Sequence, residues 1–153
     1  AKSYVQNRTN DRYRYAHDLD LLQEFIEPGS SVCEHGAAPF VLSTAIAYAG
    51  YKVIASDLDP YRFGDMSNFP FESLQYDVEN PVGINIDGLE GVIFNELFEH
   101  CRFDLLSTLN DLNRTLKPGG YLFLSTPNLK SAIGWYKYIF KNNAYGVAGD
   151  IYH

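Results

Sequence analysis

The chain has 153 residues, 46% of them apolar and 15% aromatic, with a formal net charge of −7. That length and apolar content are enough to bury one sizeable core and exclude a disordered chain. The negative balance disfavours a nucleic-acid partner, whose phosphates are met by Lys and Arg, and leaves a small molecule as the better-matched substrate. Cys33 and Cys101 are the two cysteines and neither lies in a Cys-x-x-Cys spacing, so a reduced, cytoplasmic protein without a disulfide framework or zinc knuckle is expected. The longest apolar run, in FVLSTAIAYAG, falls short of the ~20 residues that span a bilayer. No signal-peptide pattern is read.

In chain order, YRYAHDLDLLQEFIEPG places Leu19, Leu22, Phe25 and Ile26 at helical spacing and stops at Pro28 and Gly29, which predicts an amphipathic helix. SSVCEHG is short and β-prone, and APFVLSTAIAYAG suits a helix ending at Gly50. YKVIASD reads as a second buried strand ending on an acid, followed by a capped turn and irregular helix in LDPYRFGDM. SLQYD gives a third strand, NPVGINIDG a connection rich in Gly, Pro and Asn, and GVIFNE a fourth strand. LLSTLNDLNRTLKPGG reads as a helix closed by Lys117, Pro118, Gly119 and Gly120, with YLFLST the fifth strand. This alternation predicts one α/β domain over residues 1–153, a Rossmann-like, mostly parallel sheet with helices on both faces. The tail after Thr126 is aromatic and holds no further clear strand, so the edge of strand five is expected to be covered by strands beyond His153 or by a partner.

The most informative unit is VCEHGAAPF, followed about twenty residues on by YKVIASD. A strand, a turn of small residues and a helix let a ligand approach the backbone closely, and an acid ending the next strand can accept hydrogen bonds from both ribose hydroxyls. The competing reading is that Gly36, Ala37 and Ala38 only permit tight packing of helix on strand.

With the later segments added, the chain resembles the class I S-adenosylmethionine-dependent methyltransferases from about Tyr15 to Asn128. The residues carrying the resemblance are EHGAAPF, Asp57 in VIASD, Asp77 in SLQYD, NELFEH after strand four, and LKPGGYLFLSTPN. The resemblance implies that Glu34 fixes the donor loop and meets the methionine ammonium through water, with the backbone at Gly36 and Ala37 facing the donor. It implies that Asp57 holds the ribose with Leu58 beside it, that Asp77 and the Val78 amide recognise the adenine edge, and that Asn95 adjoins the donor. Where the family has its second and third loop glycines this chain has Ala38 and Phe40, and Gly91 replaces an acid at the start of strand four, with Glu90 adjacent.

Glu96, Glu99 and His100 stand at i, i+3 and i+4, so a helix would put them on one face, at the crevice beside strand one. Similar Glu-x-x-Glu-His segments occur in O-methyltransferases of the ubiquinone-biosynthesis type and in small-RNA 2'-O-methyltransferases, which implies a divalent ion (Mg, Mn or Zn) on Glu96, Glu99, His100 and His153. Two further readings stand beside it: His100 as a metal-free general base, and acids that only complement a helix dipole. His17 and His35 are weaker candidates, and Trp135, Tyr136, Tyr138, Phe140 and Tyr145 form either an acceptor-pocket wall or a packing helix. The function expected is O-methylation of a small molecule, with an RNA 2'-O-methyltransferase and a catalytically silent nucleoside-binding regulator as the rivals.

Overall fold

The computed structural model describes residues 11–80, 86–102 and 104–126. Helix α1 (Asp11–Phe25) leads into strand β1 (Ser31–His35), helix α2 (Val41–Tyr48) and strand β2 (Lys52–Asp57). Strands β3 (Glu72–Gln75) and β4 (Leu89–Asn95) follow, then helix α3 (Leu105–Thr115) and strand β5 (Leu116–Ser125). Short 3₁₀ turns at Pro60–Phe63, Met66–Asn68 and Phe98–His100 complete the connections. The aromatic tail and His153 lie outside the described residues.

The strands form one sheet in the order β3-β2-β1-β4-β5, and every pairing is parallel. Because the chain winds outward from β1 first to one side and then to the other, the carboxyl ends of β1 and β4 open a crevice at the point where the winding reverses. Alternation of side chains along β1 sorts the core into two layers. Val32 joins Val53, Ile93, Leu22 and Ile26 from the α1 segment and Leu42 and Ile46 from α2, whereas Cys33 joins Val92, Phe94 and Leu112 from α3.

Two element ends differ from the sequence expectation. Helix α3 stops at Thr115, and Leu116 already pairs with Leu89; the next β4 pair is Gly91 with Tyr121, so Lys117 to Gly120 bulge out of the strand instead of closing the helix. At its other end α3 is set by Asp104, whose Oδ1 accepts the amides of Leu106 at 3.0 Å and Ser107 at 3.1 Å. Strand β5 lies at the sheet edge among the described residues, with Tyr121, Leu122 and Leu124 exposed.

The start of β4 explains the Glu90-Gly91 pair. Glu90 accepts the Ser31 amide with one carboxylate oxygen and the Lys117 ammonium with the other, each at 2.7 Å, tying β4 to both neighbours. Gly91 lies where the α1 segment presses on the sheet, and a Cβ there would come within 2.5 Å of Ile26 Cδ1 and 3.3 Å of Val32 Cγ1. Gly91→Ala should therefore cost about 1–3 kcal/mol by overpacking in urea denaturation. The added change Ile26→Val, which removes the clashing methyl, should recover part of the loss; no recovery would show that the strain lies elsewhere.

Candidate functional site

The carboxyl ends of β1 and β2 are locked together by backbone amides. The amide of Ala37 donates to the Ser56 carbonyl at 3.0 Å, and that of Ala38 to Asp57 Oδ2 at 3.2 Å. Asp57 Oδ1 accepts the Asp59 amide at 3.1 Å, and Arg62 Nη2 stands 3.9 Å from the same oxygen. The carboxylate is 9% exposed and has used one acceptor position on each oxygen for these amides, leaving others for a ligand. Leu58, next along the chain, is exposed beside it.

Gly36 adopts φ 68°, and a Cβ there would meet Leu97 Cδ2 at 3.0 Å, so the Leu97 side chain, from the turn after β4, packs directly on the turn after β1. Phe40 shows how the loop accommodates a bulky residue at a glycine position. Its backbone takes φ 68°, the left-handed conformation a glycine would supply, while its ring leaves the loop and packs against Phe63, Phe69 and Phe71 at 5.8, 6.0 and 5.6 Å between centroids. The left-handed backbone costs about 1–2 kcal/mol, and burial of the ring outweighs it. Phe40→Gly should consequently lower stability by about 2–4 kcal/mol, the packing loss less the relieved strain. Stabilisation by this change in urea melts would refute the anchoring role.

Glu34 is buried and accepts a hydrogen bond from Ser43 Oγ on α2. Burial pushes its carboxyl up to about 7, against the opposing effects of Ser43 and Arg14. Its folded pKa thus exceeds the unfolded value, so between about pH 4.5 and 7 the folded chain holds a proton that the unfolded chain has lost, and stability falls as pH rises through that window. Melting temperatures across that range should decline in the wild type, with a shallower decline in Glu34→Gln.

On the opposite face of β1, His35 is 1% exposed, with Nδ1 2.6 Å from Ser56 Oγ and Sγ of Cys33 3.6 Å from Nε2. Burial lowers its pKa to about 4, so it is a neutral core group. Asp77 is exposed and its Oδ1 accepts the Glu79 amide at 2.9 Å, a local turn, while Val78 packs against the cluster around Cys33, Val92 and Phe94.

The segment after β4 departs most from the sequence expectation. Glu96 takes φ 54° and lies outside any helix; its amide donates to the Ser125 carbonyl at 3.0 Å and its Oε1 accepts Ser125 Oγ at 3.0 Å. Only Phe98–His100 form a single 3₁₀ turn, which leaves Glu96 outside it and is too short to bring all three side chains onto one face. Glu96 is therefore held toward β5, the Glu99 Oε2 is buried without a hydrogen-bond partner among the described residues, and His100 is exposed. The shared helical face of Glu96, Glu99 and His100 is not formed. Among the described residues no group of three or more His, Cys, Asp or Glu side chains is placed to hold a metal ion, and the fourth expected ligand, His153, lies outside them.

Between α1 and the ends of β4 and β5 is a cavity of about 210 Å³, reached by His17 and Asp18 from α1, Leu42 and Ile46 from α2, and Asn95 and Ser125 from the strands. The sequence reading missed Asp18. Its only signal is the Arg14-Asp18 spacing on α1, which looks like an ordinary helix-surface ion pair. Ser43, the partner of Glu34, also gave no signal beyond its place in an apolar helix.

Comparison with known proteins agrees with this architecture. Residues 7–148 match the family model described as a methyltransferase domain. The ribosomal protein L11 methyltransferase of Campylobacter concisus is 31% identical over 109 residues, covering 70% of this chain and 38% of that protein, so the chain spans well under half of this curated relative. Among solved structures, the fold is similar to that of the TehB-like S-adenosylmethionine-dependent methyltransferase from Corynebacterium glutamicum (TM-score 0.61, 13% identity, 81% of this chain and 73% of that one). It is also similar to the N-methyltransferase NodS from Bradyrhizobium japonicum, solved with S-adenosylhomocysteine (TM-score 0.60, 17% identity, 74% and 60%). The loop after β1, the acid ending β2, the parallel sheet order and the family match agree: this chain belongs to the methyltransferase domain family.

Proposed function

We propose that the chain binds S-adenosylmethionine across the carboxyl ends of β1, β2 and β4 and transfers its methyl group to a small-molecule acceptor. The observation that carries this reading is the Asp57 carboxylate, clamped by two loop amides with acceptor positions to spare beside the left-handed Gly36 turn. When bound, S-adenosylmethionine supplies a methyl on a sulfonium, open to a single in-line displacement by an acceptor that loses a proton.

In this reading Asp57 accepts the ribose hydroxyls, and the backbone at Gly36 and Ala37 faces the donor. Glu34, poised near neutrality by burial, takes its charged form when the methionine ammonium approaches. Leu58 offers an exposed apolar surface to the adenine, with the Asp77 carboxylate and Val78 amide at its edge, and Asn95 stands at the methyl end. Cys33 and Cys101 are free thiols, and no helix among the described residues is long and apolar enough to cross a membrane.

The expectation of an oxygen acceptor rested on the resemblance of the Glu-x-x-Glu-His segment to that of O-methyltransferases, with a bound metal as one reading of it. Because Glu96, Glu99 and His100 do not converge, those residues do not fit a bound ion, and the proposal routes nothing through one. A second reading takes a protein acceptor, motivated by the relative named as a ribosomal protein L11 methyltransferase. Labelled methyl groups from S-adenosylmethionine entering the protein fraction of a cell extract, and not its small-molecule fraction, would favour that second reading.

Saturation with S-adenosylhomocysteine at ~100 times its dissociation constant should stabilise the chain by about 2.7 kcal/mol. At this size that corresponds to a rise in Tm of roughly 5–10 °C. Asp57→Ala should abolish the rise, and prior treatment with EDTA should leave it unchanged. A wild-type chain with no rise would overturn the proposal.

A further inference from the structure

The cavity beneath α1 is reached by polar groups of α1, β4 and β5. Its walls are apolar, with Leu21, Leu42, Ile46, Ile93 and Phe123 contributing side chains. One carboxylate enters it, that of Asp18, half-buried and beside the Asn95 side chain. Among the described residues Asp18 Oδ2 is shielded from solvent without a hydrogen-bond partner, while the Asn95 side chain interacts with the same carboxyl group. Such an oxygen carries a desolvation cost, which a ligand donor would offset.

The charges around Asp18 are Arg14, His17 and Glu96 from α1 and the β4 end, and Glu34 shares the Arg14 field. Asp18 is the carboxylate that reaches this apolar cavity among the described residues, with Arg14 acting on both it and Glu34 and Glu96 adding a further negative charge near it. That arrangement favours a cation with an apolar body over an anion or a neutral polar molecule. Asn95, at the carboxyl end of β4, joins this cavity to the crevice where the donor loop lies.

We infer that the cavity is the acceptor subsite and that Asp18 is its specificity-determining residue, pairing with the ammonium group of a small, largely apolar amine. The inference rests on the methyltransferase reading for the word acceptor, whereas amine binding itself does not. An amine methylated at that nitrogen reacts only after giving up its proton, so Asp18 acts in recognition, and no catalytic step is assigned to it.

Calorimetric titration of the chain with 2-phenylethylamine, with its neutral counterpart 2-phenylethanol and with S-adenosylhomocysteine separates the two ideas. The amine should bind more tightly than the alcohol, bind equally well with S-adenosylhomocysteine already present, and lose about tenfold or more in affinity in Asp18→Asn. Asp18→Asn should keep its affinity for S-adenosylhomocysteine, which also verifies that the variant is folded. Equal binding of amine and alcohol, unchanged amine binding in Asp18→Asn, displacement of the amine by S-adenosylhomocysteine, or no amine binding at millimolar concentration would each overturn the inference. Failure of S-adenosylhomocysteine to bind while the amine behaves as described would instead overturn the methyltransferase proposal and leave an amine-binding domain.

Discussion

The Asp57 carboxylate joins the two strand ends on which the whole site is built. One oxygen holds the Ala38 amide of the loop leaving β1, and the other holds the Asp59 amide of the turn leaving β2. Hydrogen bonds to a charged acceptor contribute more than neutral ones, and here they act on a carboxylate that is almost wholly withdrawn from water. With those amides fixed, the Gly36 turn is free to lie against Leu97 and the loop keeps one shape. The Asp57 carbonyl extends the same junction by accepting the Tyr76 amide at 2.9 Å beyond β3.

Packing and recognition are separated by a simple device in this chain. Phe40 gives its backbone to the loop and its ring to an aromatic cluster with Phe63, Phe69 and Phe71, so a large side chain occupies a glycine position without entering the ligand crevice. Glu34 does the reverse. Its side chain is sunk in the layer between sheet and α2, with Ser43 as its partner, at the cost of a charge that folding disfavours near neutral pH. A group held in that state responds strongly to an approaching cation, which is the property a donor with an ammonium group would exploit.

The strand and helix alternation was legible in the sequence because buried parallel strands read as short apolar runs and α2 as a longer one. The parallel pairing and helices on both faces followed from that pattern, as did Asp57 at the end of its strand. What was not legible depended on backbone conformation chosen by tertiary contacts. Nothing local in NELFEH discloses that Glu96 takes a left-handed conformation to reach Ser125, a residue 29 positions away, or that the helix is reduced to one 3₁₀ turn. Likewise LKPGG reads as a helix stop, and only the pairing of Leu116 with Leu89 makes it a bulged strand start. Asp18 was passed over because its meaning comes from Asn95, across the cavity, and not from its neighbours on α1.

The most direct measurement of the central claim is an amide-resolved NMR titration of the chain with S-adenosylhomocysteine. The account predicts that the largest shifts fall on the amides of Gly36, Ala37, Ala38, Leu58, Asp59 and Val78, the ends of β1, β2 and β3, with α3 and its cap at Asp104 little affected. Binding with shifts centred on α3, or no shifts at all, would contradict it.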